Sequence, residues 1–249
     1  MALMITIFLM IIQRGFGEIS TFSAKMKMPA ILPRSCYYEA ENPSFRESKM
    51  NRLLEEKRLT PVQMLEDLDA FMQKIESLAD LLQFDLSLAQ ADHLALRINE
   101  AHLAKAAHLA WCDYGETISE AMINGRPIIV IAFKQPLHAR GWKIDCLELP
   151  YPAPGKTYPS ESWEHVEFVV PSHAQSTEAY LEDLQHTYPA FGAQFAKLAD
   201  LGVKVKLSSP KGDGERLNNP TVAFKYQGVC IKLHPHSLKR IVESEQNGR

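Results

Sequence analysis

Asp92-His93-Leu94-Ala95-Leu96-Arg97-Ile98 and Glu164-His165-Val166-Glu167-Phe168-Val169-Val170 decide how this chain is read. Successive strand side chains point to opposite faces. In the first stretch Leu94, Leu96 and Ile98 therefore share one face, and His93, Ala95 and Arg97 share the other. The second stretch repeats the order acid, His, apolar, any residue, apolar. Each stretch then opens the same succession of elements. After the first, residues 100–112 read as a helix carrying alanines and leucines through Trp111, followed by strand-like runs over 117–123, 128–133 and 142–149. Asn124-Gly125 joins the first pair of these and is a strong hairpin signal. After the second, a helix fits 174–188 and strands fit 203–207, 221–226 and 229–233. The two successions also end alike, in Cys146-Leu147-Glu148-Leu149-Pro150 and Cys230-Ile231-Lys232-Leu233-His234-Pro235, so the halves are related as repeats. The expected fold is α+β: two βαβββ modules forming a curved mixed sheet around a concave pocket, with N-terminal helices packed on it.

Outward from these modules, Thr60-Pro61 is a good N-cap and first-turn pair. Apolar residues from Met64 to Leu82 then recur at three- and four-residue steps. The folded domain is expected over 60–249, with helices in 60–90, the first module in 91–150, the second in 163–235 and a C-terminal tail. Residues 1–59 are read as a disordered or mistakenly included extension. Met1 to Ile12 are apolar but too short to span a bilayer about 30 Å thick, and no basic stretch precedes them as a signal peptide would require. A start codon set too early, with Met50 as the true start, fits this segment better than export.

A net charge of −3 with intermixed signs leaves no basic stripe for phosphate neutralisation, so neither nucleic acid nor a membrane is an expected partner. Cys36, Cys112, Cys146 and Cys230 show no C-x-x-C spacing. Isolated thiols suit a reducing, cytoplasmic location. The partner expected is a small molecule, bound by a monomer or homodimer.

The chemistry lies on the inward strand faces. His93, Arg97, His165 and Glu167 point there, Glu148 lies opposite Leu147 and Leu149, and Lys232 and His234 lie opposite Ile231 and Leu233. A polar group withdrawn from water without a partner costs several kcal/mol, so these groups need one another or a ligand. Two imidazoles and a carboxylate on different strands suit a divalent metal such as zinc, iron, nickel or manganese. No local motif such as H-E-x-x-H supports this, and a strand histidine bonded to its core neighbours is the plain alternative. The polar insertion 208–220 carries Lys211 and Arg216, which could close over a carboxylate or phosphate, or simply form a solvated turn.

The paired βαβββ pattern resembles the vicinal oxygen chelate superfamily of glyoxalases, extradiol dioxygenases and bleomycin-resistance proteins. The strings ADHLALR, SEAMINGRPI, LELPYP, WEHVEFVVP, SSPKGDGERLNNPT and IKLHPHS resemble the YecM family of bacterial proteins over about residues 60 to 246. The superfamily places one metal ligand on the first strand and one on the last strand of each half. That resemblance implies His93, Glu148 and His165, with the fourth position falling on Lys232. An ammonium repels a cation, so the fourth ligand would come from His234 or Glu167. Otherwise the metal is lost and Lys232 holds an anion. Two functions follow from the resemblance. One is a metal-binding isomerase, lyase or dioxygenase acting on a small oxygen-bearing substrate, with His93, Glu148, His165 and His234 as ligands and Glu148 or Glu167 moving a proton. The other is a non-catalytic binder of a small anion using Arg97, Lys232, Lys211 and Arg216.

Overall fold

A computed structural model describes residues 43–209 and 217–246; residues 1–42 and the substrate-loop candidates Lys211 and Arg216 lie outside the described residues. The helices are α1 Pro43–Glu56, α2 Pro61–Leu82, α3 Ala101–Trp111, α4 Thr177–Thr187, α5 Pro189–Gln194 and α6 Leu238–Gln246. The strands are β1 Gln90–Arg97, β2 Gly115–Ile123, β3 Arg126–Ala139, β4 Trp142–Pro150, β5 Ser162–Val169, β6 Lys204–Ser208, β7 Thr221–Tyr226 and β8 Val229–His234.

These strands make one curved mixed sheet in the order β2-β3-β4-β1-β5-β8-β7-β6. Within the first half β1 runs parallel to β4, and within the second β5 runs parallel to β8. The two halves meet where β1 and β5 pair antiparallel. Two βαβββ modules thus join through their first strands, and the strands carrying Glu148 and Lys232 flank that seam. The fold class read from the repeats is the one observed.

Local chemistry explains the element ends. Thr60 accepts a hydrogen bond from the Gln63 backbone N–H and Pro61 opens α2, while Ser176 caps α4 through the Ala179 N–H. Asn124 and Gly125 have φ values of 52° and 75°, the paired left-handed geometry that the tight hairpin turn requires. Gly115 opens β2 because a Cβ there would lie 2.5 Å from the Ala132 carbonyl oxygen. On the sheet face opposite the site, α2 buries Met64, Leu68, Phe71, Met72, Ile75, Leu78 and Leu82. Trp163 joins this core, its indole N–H donating to the Met64 carbonyl at 2.8 Å.

The structure departs from the sequence reading at three boundaries. Ordered structure begins before residue 60: α1 is a helix, and Leu54 and Leu59 are each 1% exposed in the core. Lys57 just beyond it bridges Glu100 at 2.9 Å and Glu161 at 2.6 Å. The apolar set Met50, Leu53 and Leu54 is too short among its charged neighbours to show a period. Strand β3 runs on past Phe133 to Ala139, with its register against β4 broken between Ala132 and Leu137. Pro136 lies in that break and has no N–H to give a ladder. The expected C-terminal tail is helix α6, which buries Ile241 and Val242. No helix among the described residues is long and apolar enough to cross a membrane.

Candidate metal centre

Strand register assembles the site. His93 on β1 sits across from Glu167 on β5, and Ala95 sits across from His165. On the other side of β1, Glu148 lies beside Ala95, and on the other side of β5, Lys232 lies beside Glu167. Ala95 matters because its methyl leaves space over the seam for the larger side chains around it. The resulting group of His93, Glu148, His165 and Glu167 offers one ligand atom each, all within 4.8 Å of one another.

Two bulges orient the imidazoles. Ala91 pairs with Phe168 and His93 with Glu167, so Asp92 is an extra residue on β1. Ala95 pairs with His165 and Leu96 with Trp163, so Glu164 is an extra residue on β5. A bulge re-aims its side chain, and here each acid turns back onto the next histidine. Asp92 Oδ2 lies 3.0 Å from His93 Nδ1, and Glu164 Oε2 lies 3.5 Å from His165 Nδ1. A carboxylate oxygen accepts, so Nδ1 is the donor toward each acid and Nε2 is left to turn toward the other members of the group. Each acid is fixed in turn: Asp92 Oδ2 accepts from the Leu238 N–H at 2.7 Å, and Glu164 pairs with the Arg97 guanidinium.

Three of the spacings at the centre are close to those of a tetrahedral cation, and all four ligand atoms lie within 4.8 Å of one another. Metal bonds of about 2.1 Å separate tetrahedral ligands by roughly 3.4 Å. His165 Nε2 to Glu167 Oε1 is 3.1 Å, His93 Nε2 to Glu167 Oε1 is 3.4 Å, and His93 Nε2 to Glu148 Oε2 is 3.6 Å. His93 Nε2 is buried without a hydrogen-bond partner. A buried polar atom is rarely left so, and a cation would satisfy it; the donor set therefore fits a divalent metal.

The electrostatics are those of a tightly coupled charge cluster. Burial lowers the proton affinity of His93, but Glu167, Asp92 and Glu148 outweigh it and raise its pKa well above that of an ordinary imidazole. Burial would raise the Glu148 carboxyl, yet the neighbouring His93 imidazole, Lys232 and His165 bring it down to about 2. Glu167 is likewise held well below the usual range against burial, chiefly by Lys232 and His93. Lys232 Nζ lies 2.6 Å from Glu167 Oε1 and 2.9 Å from His165 Nε2.

Not every candidate falls where the sequence suggested. His234, expected as the fourth ligand, falls in a second group, with Asp92 and His93, whose ligand atoms also lie within 4.8 Å of one another. The His236 N–H donates to Asn219 Oδ1 at 3.2 Å, which fixes that amide so that its Nδ2 donates to His234 Nδ1 at 3.1 Å. The His234 proton then sits on Nε2, 3.7 Å from both Asp92 Oδ2 and Glu167 Oε2. This Nε2, like that of His93, is buried without a hydrogen-bond partner, while Glu167 is the acid that joins His93, Glu148 and His165 in the first group. Arg97, expected to meet substrate, is engaged by Glu164 and lies 4.0 Å over the Tyr158 ring. Asp92, Glu164 and Asn219 carry positioning contacts that strand alternation alone does not reveal. The acid before each histidine was visible in sequence; the bulges that give it a role were not. A separate cleft of about 820 Å³ between the end of α2 and the β3–β4 turn shares none of these residues.

Fold and site together define a protein of paired βαβββ modules holding a buried imidazole–carboxylate cluster across their seam. The chain belongs to the YecM family: the family described as "YecM protein" matches residues 60–245. It is 36% identical to "Protein YecM" of Escherichia coli over 185 residues, covering 73% of this chain and 92% of that protein. It is also 36% identical to an uncharacterised protein of Haemophilus influenzae over 186 residues, 73% of this chain and 93% of the relative. A solved structure described as "Structural Genomics, Protein EC4020" is 33% identical, with a TM-score of 0.59, covering 74% of this chain and 91% of that one.

Proposed function

We propose that the chain is a metal-binding member of the vicinal oxygen chelate superfamily, holding one divalent cation with His93, Glu148, His165 and Glu167. It acts on a small oxygen-bearing substrate as an isomerase, lyase or dioxygenase. The observation that carries this reading is the convergence of four ligand atoms from both modules within 4.8 Å, one of them the unpartnered His93 Nε2. When bound, the cation supplies Lewis-acid polarisation of a substrate oxygen. The chain's own residues do the rest. Asp92 and Glu164 hold the imidazoles with Nε2 inward, as outer carboxylates do in histidine metal sites. Glu148 is the more accessible carboxylate, with its side chain 18% exposed against 10% for Glu167. That exposure makes Glu148 the carboxylate placed to meet a substrate proton. Free Cys112, Cys146 and Cys230 support a cytoplasmic setting, where the protein works as a monomer or homodimer.

A second reading, an anion binder without metal, is favoured by the Lys232 ammonium within the cluster. Thermal melts of chelator-stripped protein separate the two. Metal at 100 times its Kd adds about 2.7 kcal/mol of stability, which raises Tm by roughly 5–10 °C in a domain of this size. That rise is expected with one of zinc, nickel, manganese or ferrous iron, and is lost in His93→Ala/His165→Ala. A rise with small carboxylates but with none of the four metals would replace the first reading by the second.

A further inference from the structure

Lys232 occupies contested ground. Its ammonium lies 2.9 Å from His165 Nε2 and 2.6 Å from Glu167 Oε1, two of the four atoms proposed to hold the cation. One lone pair of His165 Nε2 cannot serve an N–H donor and a metal together. A divalent cation at that place would also stand next to the ammonium, and like charges at such separations repel strongly in a poorly solvated site. The lysine stem has four rotatable bonds, and its side chain is 27% exposed, against 2% for His93 and 4% for His165. Of the groups in contact at this point it is the one with room to move.

Resting on the proposed metal reading, we infer that Lys232 is a displaceable internal cation. It holds His165 and Glu167 together until metal enters, and once displaced it takes an anionic oxygen of the substrate. The second half follows from place. An ammonium pushed off Glu167 stays beside the cation on the more exposed side of the cluster, where an anionic substrate brought to that cation offers a charged acceptor. The site then selects small molecules bearing a carboxylate or similar anionic oxygen next to the oxygen that meets the metal. Lys232 is thus a specificity residue, and the strand position that departs from a ligand pattern keeps a positive charge in the site before and after loading.

The test is calorimetric titration of chelator-stripped full-length protein with manganese and with zinc, alone and with oxalate, comparing wild type, Lys232→Met, Lys232→Gln and His93→Ala. Lys232→Gln retains a hydrogen bond to Glu167 without charge and covers the case in which Lys232→Met does not fold; circular dichroism checks both. Removing the competitor is expected to tighten metal binding at least tenfold in both lysine variants. Oxalate is expected to tighten metal binding by wild type several-fold more than by either variant. Equal or weaker metal binding by the variants would overturn displacement, and equal oxalate enhancement in all would overturn anion capture, while metal binding lost only in His93→Ala leaves the functional reading intact. Metal binding by the variants but not by wild type would support the competing ammonium and overturn the metal reading of the natural chain. No binding by any protein would overturn both.

Discussion

Arg97→Met probes the outer support of the site most sharply. The guanidinium pairs with Glu164 with the two side chains 10% and 19% exposed, and it lies over Tyr158. Removing one partner of a fully buried ion pair costs about 3–5 kcal/mol because the other charge is stranded. With the residual exposure here about 2–4 kcal/mol is expected, lost cation–π contact included. At roughly 2–4 °C per kcal/mol for a domain of this size, Tm should fall by about 4–16 °C. Burial alone would raise the Glu164 carboxyl, but His165 and Arg97 together hold it well below the ordinary range, and without Arg97 a carboxylate there loses its ion-pair partner. Neutralising it as well should therefore recover part of the loss. Arg97→Met/Glu164→Gln is expected to be more stable than the sum of the single changes by about 1–3 kcal/mol. Because Glu164 braces His165 Nδ1, Arg97→Met should also weaken metal binding roughly 10–100-fold. Urea denaturation of the four proteins measures the cycle. Additive single costs, or a Tm loss under 2 °C for Arg97→Met, would show a solvated pair with no hold on His165.

Asp92→Ala removes the partner of both His93 Nδ1 and the Leu238 N–H; calorimetry should show metal affinity lower by about 10–100-fold. Leu54→Ala should destabilise the whole domain by about 2–5 kcal/mol in a single urea transition, because α1 is part of the core; a change under 0.5 kcal/mol would detach that helix from the fold. Burial raises the Tyr180 hydroxyl well above its ordinary value of 10.0, and it donates to the Val170 carbonyl at 3.0 Å. A group whose pKa rises on folding contributes stability that is whole below the unfolded value and lost as pH climbs past it. Wild type should therefore lose Tm relative to Tyr180→Phe between pH 10 and 12, having been the more stable by about 1 kcal/mol at pH 8.

The modules were legible because buried strands in this chain alternate cleanly and because Asn124-Gly125 and the paired acid-His openings punctuate them. Inward placement of His93, Glu148, His165, Glu167 and Lys232 follows from the same alternation. What alternation cannot show is an extra residue. Strict period two puts Asp92 on the face opposite His93 and Glu164 opposite His165, whereas the bulges return both acids to their histidines. The setting of His234 was also beyond a linear reading, since it depends on an amide at Asn219 whose orientation is fixed by the His236 backbone. Arg97 illustrates the converse: its face was read correctly, but its charge is consumed by Glu164. Helix α1 was missed because three apolar residues are too few to establish a helical period, though tertiary contact with the domain suffices to bury Leu54.

Crystals grown with manganese or zinc and measured on either side of the metal's absorption edge test the central claim most directly. One anomalous peak is expected between the imidazoles of His93 and His165 and the carboxylates of Glu148 and Glu167, with Lys232 Nζ withdrawn from His165. A peak at another place, or none at saturating metal with those four side chains ordered as they are here, would contradict it.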